Sequence, residues 1–120
     1  MDGHGLVDRA PLDELREAFG DLADEELPDL VRTWEAQAED LVGRMRAAVL
    51  TGDGAGLRAA AHMLKGSSGA LGAFEVADVC GRLEHSDTPP AGLASVVERC
   101  AATVRDTAAA LWQVVRPGSA

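Results

Sequence analysis

The chain has 120 residues and a formal net charge of −9, and 47% of its residues are hydrophobic while 26% are charged. This balance is typical of a globular protein of one domain with a single modest core. The negative charge argues against nucleic acid and anionic membranes as partners, because both need basic patches that neutralise phosphate. Only 3% of the residues are aromatic, so the core must consist mainly of Leu, Val and Ala, which favours closely packed helices.

Apolar spacing predicts two helices in the first half of the chain. Residues 1–9 contain two glycines and are expected to form a flexible lead-in to a short helix that starts near Pro11. A longer helix is expected from about residue 24 to residue 50, with apolar positions at three- and four-residue steps: Leu27, Leu30, Trp34, Ala38, Leu41, Met45 and Val49. Pro28 should be tolerated only in the first turn of this helix. The TGDG stretch that follows breaks the pattern and offers Asp53 as an N-cap.

Three further helices complete the pattern. The third is expected to run to about residue 69, where a GALG link leads into a fourth helix from 73 to about 85. The SDTPPAG stretch at 86–92 is the clearest loop. The last helix is expected from about 93 to 115, with apolar positions at Leu93, Val96, Cys100, Val104, Ala108, Leu111 and Val115.

No segment alternates with the period of two that indicates a β-strand. The sequence therefore predicts an all-α fold, namely an antiparallel up-and-down four-helix bundle with a short additional N-terminal helix. We expect the bundle to occupy residues 10–116 and a C-terminal tail to follow at 117–120.

The cysteines and the hydropathy indicate a cytoplasmic protein. Cys80 and Cys100 fall on apolar helical positions without CxxC spacing, so we expect both to be reduced core residues. No apolar run approaches the ~20 residues of a membrane span, and the acidic N-terminus does not resemble a secretory signal. We therefore expect no contact with a membrane.

His62 lies on the face of the third helix opposite to its apolar stripe. That stripe consists of Leu57, Ala60, Ala61, Leu64, Ser68 and Leu71. His62 is two residues from Leu64, which is about 200° around a helix of 3.6 residues per turn. It should therefore point to solvent or to a partner. The residues that share its face are small or cationic, and we expect those around Lys65 to contact the partner: Arg58, Ala59, Gly66 and Gly69.

Gly66 and Gly69 weaken the helix beside this histidine. A glycine in a helix interior costs about 1 kcal/mol relative to alanine. A face that is merely solvated would carry Glu, Lys or Gln, whereas a face that another protein's backbone approaches closely favours glycine. Neutral imidazole is a good nucleophile near pH 7. Lys65, one turn from His62, can stabilise negative charge on phosphoryl oxygens, so the pattern indicates phosphoryl transfer.

The stretch HMLKGSSGALGA, from His62 to Ala73, resembles the signature of histidine-containing phosphotransfer (HPt) domains, which is approximately H-x-L-K-G-S-S-x-x-L-G-A. It agrees with that signature at every specified position. The preceding GDGAGLRAAAH and the RLE at 82–84 continue the resemblance, which spans roughly residues 10–116. It implies a helical bundle that carries a phosphoryl group in a two-component phosphorelay.

The resemblance also implies roles for individual residues. His62 is similar to the phospho-acceptor of the family, and Lys65 is similar to the cation that assists transfer. Gly66 resembles the family's small residue that leaves space for a receiver domain to approach. Ser68, on the inner stripe, is expected to bond the backbone in a structural role. The implied partners are a response-regulator receiver domain, a hybrid histidine kinase, or both. No cofactor is expected on this chain, since Mg²⁺ would bind to the receiver domain, and we expect a monomer.

Glu84 lies where the family commonly carries Gln or Glu facing the histidine. The spacing supports this placement independently, because His62 and Glu84 are each eleven residues from Ala73, near the expected hairpin turn. In an antiparallel helix pair the two should therefore lie at about the same height. Glu84 could then accept a hydrogen bond from Nδ1–H of His62 and leave Nε2 as the nucleophile.

Several other interpretations compete with a phosphoryl carrier. A histidine kinase needs an ATP-binding lobe, for which these 120 residues leave no room, and the chain has no GxxxxGK[ST] phosphate-binding loop. We therefore expect no autokinase activity and no nucleotide site. A metal site formed by His4, His62 and His85 with Cys80 has no supporting ligand spacing, so no metal is expected. The remaining alternative is a non-catalytic helical interaction module in which His62 has no chemical role.

Overall fold

The structure, a computed structural model, describes residues 6–116, and within this range it contains helices and no strands. The five α-helices are α1 (Ala10–Phe19), α2 (Ala23–Thr51), α3 (Gly54–Ala70), α4 (Phe74–His85) and α5 (Ala94–Val115). Short 3-10 helices, Gly20–Leu22 and Pro90–Leu93, precede α2 and α5. Helices α2 to α5 run up and down as an antiparallel bundle, and α1 packs against α2. The predicted fold class is confirmed.

The core lies between the four long helices and is built almost wholly from aliphatic side chains. Its largest fully buried members are Leu12, Leu27, Val31, Leu41, Met45, Leu57, Leu64, Val76, Leu83, Val97, Leu111 and Val115. The predicted stripes are displaced by one residue at three places, because a helix can satisfy its packing with either a three- or a four-residue step. Leu30, Val49 and Val96 are only partly buried, and their neighbours Val31, Ala48 and Val97 are buried instead. No helix among residues 6–116 is long and apolar enough to cross a membrane.

Pro28 lies in the second turn of α2, so the expectation that the helix would tolerate it only in the first turn is wrong. The helix begins at Ala23, directly after a 3-10 helix. A proline at this position removes the hydrogen bond to the carbonyl four residues earlier, which belongs to Asp24. Asp24 is exposed and lies in the first turn, so water can reach the carbonyl that lacks this donor.

The segment before α1 is attached to the turn between α3 and α4. Val7 is buried in the core, and the backbone N–H of Asp8 donates to the carbonyl of Gly72 at 2.7 Å. Gly72 has a φ of +78°, and a Cβ there would collide with the carbonyl oxygen of Asp8. The predicted lead-in therefore contacts the bundle through Val7 and Asp8, while residues 1–5 and the predicted tail at 117–120 lie outside the described residues.

Helix α3 is held at both ends. At its start, the side chain of Asp53 accepts a hydrogen bond from the backbone N–H of Gly56 at 2.9 Å, which confirms the predicted N-cap. Near its end, the hydroxyl of Ser68 accepts a hydrogen bond from Nε1 of Trp34 at 3.0 Å, and both side chains are buried. The partner of Ser68 is thus an indole on α2, where the sequence had suggested the backbone.

Replacing Ser68 by alanine should destabilise the protein by about 1–3 kcal/mol, because the buried indole N–H of Trp34 would lose its acceptor. Urea unfolding of Ser68→Ala against the parent measures this loss. Ser67→Ala is the matched control, since the Ser67 hydroxyl donates only to the carbonyl of Leu64 within α3, at 3.3 Å. Its effect should stay within about 0.5 kcal/mol. Equal losses in the two variants would contradict the role of this hydrogen bond.

Candidate functional site

His62 lies in the middle of α3 on the side that faces solvent. Its side chain is 70% exposed, whereas Leu57, Ala61 and Leu64 on the opposite side of the helix are buried in the core. The outward direction inferred from helical spacing is confirmed. The histidine is therefore available to a second molecule without any opening of the bundle.

Glu84 contacts this histidine from the neighbouring helix. Helices α3 and α4 form an antiparallel hairpin, and Oε2 of Glu84 lies 2.6 Å from Nδ1 of His62. The two residues therefore lie at the same height along the helix pair, as their equal spacing from Ala73 predicts. A hydrogen bond of this length to an ionised carboxylate belongs to the stronger class. Since a carboxylate only accepts, the bond places a proton on Nδ1 and leaves Nε2 directed away from Glu84.

Lys65 binds the other oxygen of the same carboxylate. Its Nζ lies 2.5 Å from Oε1 of Glu84. The carboxylate thus bridges two residues of α3 that are one turn apart, with one oxygen for each. The Glu84 side chain is only 14% exposed, compared with 34% for Lys65 and 70% for His62. The sequence predicts that Lys65 lies beside the phosphoryl group, but it does not indicate that the Lys65 ammonium pairs with Glu84.

The two donors determine the ionisation of Glu84. Hydrogen bonding from Lys65, and then from His62, lowers the pKa of the Glu84 carboxyl below its usual range. The group is therefore a carboxylate at neutral pH. His85 adds a third potential cation, because its Nε2 lies 3.6 Å from Oε1 of Glu84. The sequence did not assign His85 to the site, although its position directly after Glu84 at the end of α4 was a usable signal.

The space around His62 is kept open by small residues. Ala59, Gly66 and Gly69 are exposed, and a Cβ added at Gly66 or Gly69 would meet no atom within 4 Å. Neither glycine is therefore required for packing within the bundle. Arg58 is also exposed, but its guanidinium lies 3.3 Å from where a Cβ of Gly54 would be. It is thus directed toward the start of α3, away from His62.

Two shallow grooves flank the exposed face of α3. The groove between α2 and α3 has a volume of about 380 Å³ and is lined mainly by small side chains, with Arg44 and the half-exposed Met63 at its edges. The groove along α4 has a volume of about 500 Å³, and its lining includes Lys65, Phe74 and Arg82. Both are open surfaces, suited to contact with another protein more than to enclosure of a small ligand.

The other candidate ligands and nucleophiles are not assembled into a second site. Among residues 6–116 there is no group of three or more His, Cys, Asp and Glu side chains that could hold a metal ion. His4 lies outside these residues. Cys80 and Cys100 are free and buried, with their Sγ atoms 3.9 Å apart. Their mutual hydrogen bond and their burial raise the pKa of the Cys80 thiol, so Cys80 is a core residue more than a nucleophile.

Comparisons with known proteins agree with this arrangement. The family model of the Hpt domain matches residues 29–113, which include His62, Lys65 and Glu84. The crystal structure of histidine-containing phosphotransfer protein B (HptB) from Pseudomonas aeruginosa PAO1 is similar, with a TM-score of 0.79 and 26% sequence identity over 93% of this chain and 96% of that chain. A comparison with curated proteins gives no match. The chain belongs to the Hpt domain family, the histidine-containing phosphotransfer domains.

The stabilising effect of Glu84 should disappear in acid. Its folded pKa is lowered from an ordinary value of about 4.3, so its stabilisation is fully present above that value and is lost as the pH falls through the folded pKa. Glu84→Gln should therefore have a lower urea midpoint than the parent at pH 7, and the difference should vanish at low pH. Asp78→Asn, which removes an exposed ion pair with Arg82, should show little difference at any pH. A difference for Glu84→Gln that persists in acid would contradict the ionic role.

Proposed function

We propose that this chain carries a phosphoryl group on Nε2 of His62 and exchanges it with the aspartate of a receiver domain, in a response regulator or in a hybrid histidine kinase. The observation that carries the proposal is the exposed imidazole whose Nδ1 is bonded to Glu84. In that tautomer the Nε2 lone pair faces solvent. Membership of the Hpt family and the likeness to HptB, a phosphotransfer protein by name, support this assignment.

The transfer itself needs only the groups at this site and those of the partner. In acceptance, Nε2 of His62 attacks the phosphorus of an aspartyl phosphate, the N–P bond forms, and the electron pair of the broken P–O bond returns to the aspartate. Lys65 stabilises the charge on the phosphoryl oxygens during transfer, and for this its ammonium must be shared with Glu84 or leave it. Mg²⁺ would be held by the partner's carboxylates, because both oxygens of Glu84 already accept hydrogen bonds, one from His62 and one from Lys65.

The open face around His62 suits close docking of the receiver. Gly66, Gly69 and Ala59 present little side chain beyond the backbone, and Arg58, although directed toward the start of α3, is exposed on the same helix and can meet an acidic partner. These four residues are proposed to contact the receiver. We further propose that the chain acts as a monomeric cytoplasmic carrier without a nucleotide site of its own, so that phosphate enters and leaves through receiver domains.

Replacing His62 should abolish phosphoryl acceptance without unfolding the protein. His62→Gln should acquire no acid-labile phosphate from a phosphorylated receiver domain, while its free energy of unfolding stays within about 0.5 kcal/mol of the parent, as for other surface changes. His85→Gln is the matched control and should accept phosphate. A His62→Gln protein that still forms acid-labile phosphate would disprove the assignment.

The same assay distinguishes the alternatives. With ATP and Mg²⁺ in place of the receiver, the parent should remain unlabelled, and labelling would favour a kinase. If a panel of phosphorylated receivers binds to the parent without transferring phosphate, the chain is the interaction module in which His62 has no chemical role.

Substitutions at Gly66 should have different effects on the stability of the protein and on docking of the receiver. Gly66→Ala should stabilise the protein by up to about 1 kcal/mol, and Gly66→Gln should be at least as stable as the parent, because a side chain here meets no atom of the bundle. Gly66→Gln should nevertheless transfer phosphate much more slowly, since its bulk keeps the receiver's backbone away from His62. Urea unfolding and single-turnover transfer measure the two effects. Parental transfer rates in Gly66→Gln would refute the clearance argument.

A further inference from the structure

We propose that Glu84 holds the proton on Nδ1 of phosphorylated His62, so that the phosphorylated ring stays cationic and able to release its phosphoryl group at neutral pH. This inference rests on the proposed function of His62 as the acceptor. It assigns Glu84 a task in the phosphorylated state, in addition to selecting the tautomer of the free ring. Glu84 acts through His62 and is thus a positioning residue.

The need for this proton follows from the bonding of the ring. Once Nε2 carries the phosphoryl group, Nδ1 is the only ring nitrogen that can hold a proton. When the phosphoryl group leaves, the electron pair of the N–P bond returns to Nε2. A ring with a proton on Nδ1 then departs as neutral imidazole, whereas a ring without it departs as an imidazolate anion, which is a far poorer leaving group. The cationic ring is therefore the donor form.

The geometry favours that cationic form. The carboxylate of Glu84 is 2.6 Å from Nδ1, and its second oxygen is bound by Lys65 at 2.5 Å. An opposite charge within about 4–6 Å shifts a titration by about 1–3 pH units toward the charged form. Because the carboxylate is poorly exposed, solvent screens this interaction less than it would at an open surface.

The other charged groups near this face do not replace Glu84. The charged residues that line the two grooves beside it are Arg44 on α2, Asp53 at the start of α3, Lys65 on α3, and Asp78, Arg82 and His85 on α4, while Arg58 on α3 is directed away from His62. The cations among them would destabilise the positively charged form of the ring. Two carboxylates are already paired with arginines, Asp40 with Arg44 at 3.0 Å and Asp78 with Arg82 at 3.4 Å. Among the described residues, Glu84 supplies the carboxylate that contacts the imidazole.

The proton balance of the exchange is then simple. In acceptance, neutral His62 with its proton on Nδ1 becomes a phosphorylated cation, and in donation it returns to the neutral ring. The Nδ1 proton stays in the bond to Glu84 in both directions, so no proton has to enter or leave. A glutamine at this position would accept the same hydrogen bond but would carry no charge to stabilise the cation. The carboxylate therefore allows the phosphorylated ring to donate its phosphoryl group up to a higher pH.

The protonation of the phosphorylated ring can be observed directly. Parent, Glu84→Gln and Asp78→Asn would be phosphorylated with phosphoramidate, and the ³¹P resonance of phosphohistidine followed as a function of pH. We expect the midpoint of Glu84→Gln to lie at least about one pH unit below that of the parent. Asp78→Asn, which removes a charge from the same helix without touching the ring, should titrate close to the parent. Equal midpoints in parent and Glu84→Gln would overturn the inference.

Lys65→Met provides a second variant with the opposite expected sign. It removes a cation from the neighbourhood of the ring and leaves the whole Glu84 carboxylate to His62, so the midpoint should rise above that of the parent. A fall in this variant would also contradict the proposal. The experiment therefore decides the matter even if one of the two variants does not fold.

Single-turnover transfer to a receiver domain gives the kinetic counterpart. The ratio of the parental rate to that of Glu84→Gln should be near one in acid, where both rings are protonated, and should rise to about tenfold at alkaline pH, which corresponds to a shift of one unit. A purely structural role would lower the rate of Glu84→Gln by the same factor at every pH, and that result would overturn the inference. If the parent forms no phosphohistidine, the proposed function itself fails. If it forms but the midpoints coincide, His62 remains the acceptor and only the role of Glu84 fails.

Discussion

The functional face of this protein depends on one carboxylate that joins two helices. Glu84 on α4 bonds His62 and Lys65 on α3, at 2.6 and 2.5 Å respectively. It fixes the direction of the imidazole and neutralises the nearest cation. Neither effect would occur if α3 and α4 were shifted by one turn, because a helix rises about 5.4 Å per turn. The register of the hairpin is therefore the constraint on which the site depends.

The hairpin is held against the rest of the bundle by contacts well away from the histidine. At the turn, Gly72 adopts a positive φ and its carbonyl accepts from Asp8, so the chain before α1 closes over the hairpin. Within the bundle, the bond between Trp34 and Ser68 ties α3 to α2. A rigid frame of this kind allows the exposed side of α3 to be poor in stabilising contacts. Gly66 lowers the helix propensity there, and burial of the opposite side offsets the loss.

Local periodicity explains which features the sequence predicted. The ends of the helices and the outward direction of His62 depend on residue spacing within one helix. The position of Glu84 opposite His62 depends only on the length of a short helical hairpin. All three features are therefore encoded by residues close together in the sequence. The pairing of Lys65 was not predictable in this way, because a long flexible side chain can reach several partners from one backbone position.

Tertiary contacts explain the features that the sequence did not predict. The indole partner of Ser68 lies 34 residues away on another helix, and no spacing rule connects them. Residues 6–9 carry no helical or strand pattern, and their order results from a backbone bond and from burial of Val7. Such contacts become apparent only when the helices are assembled.

The charge balance of the site connects its structure with the task of a carrier. With Glu84 ionised, a neutral His62 and the Lys65 cation form a group without net charge. A carrier must bind phosphate firmly enough to accept it and loosely enough to release it. An unpaired lysine beside the histidine would hold the dianionic phosphoryl group more tightly and slow its release. In the proposed mechanism the same carboxylate partly neutralises the charge of Lys65 and keeps the phosphorylated ring cationic, and both effects favour donation of the phosphoryl group. In that mechanism, a carboxylate in place of an amide at residue 84 would favour the donation step of the exchange.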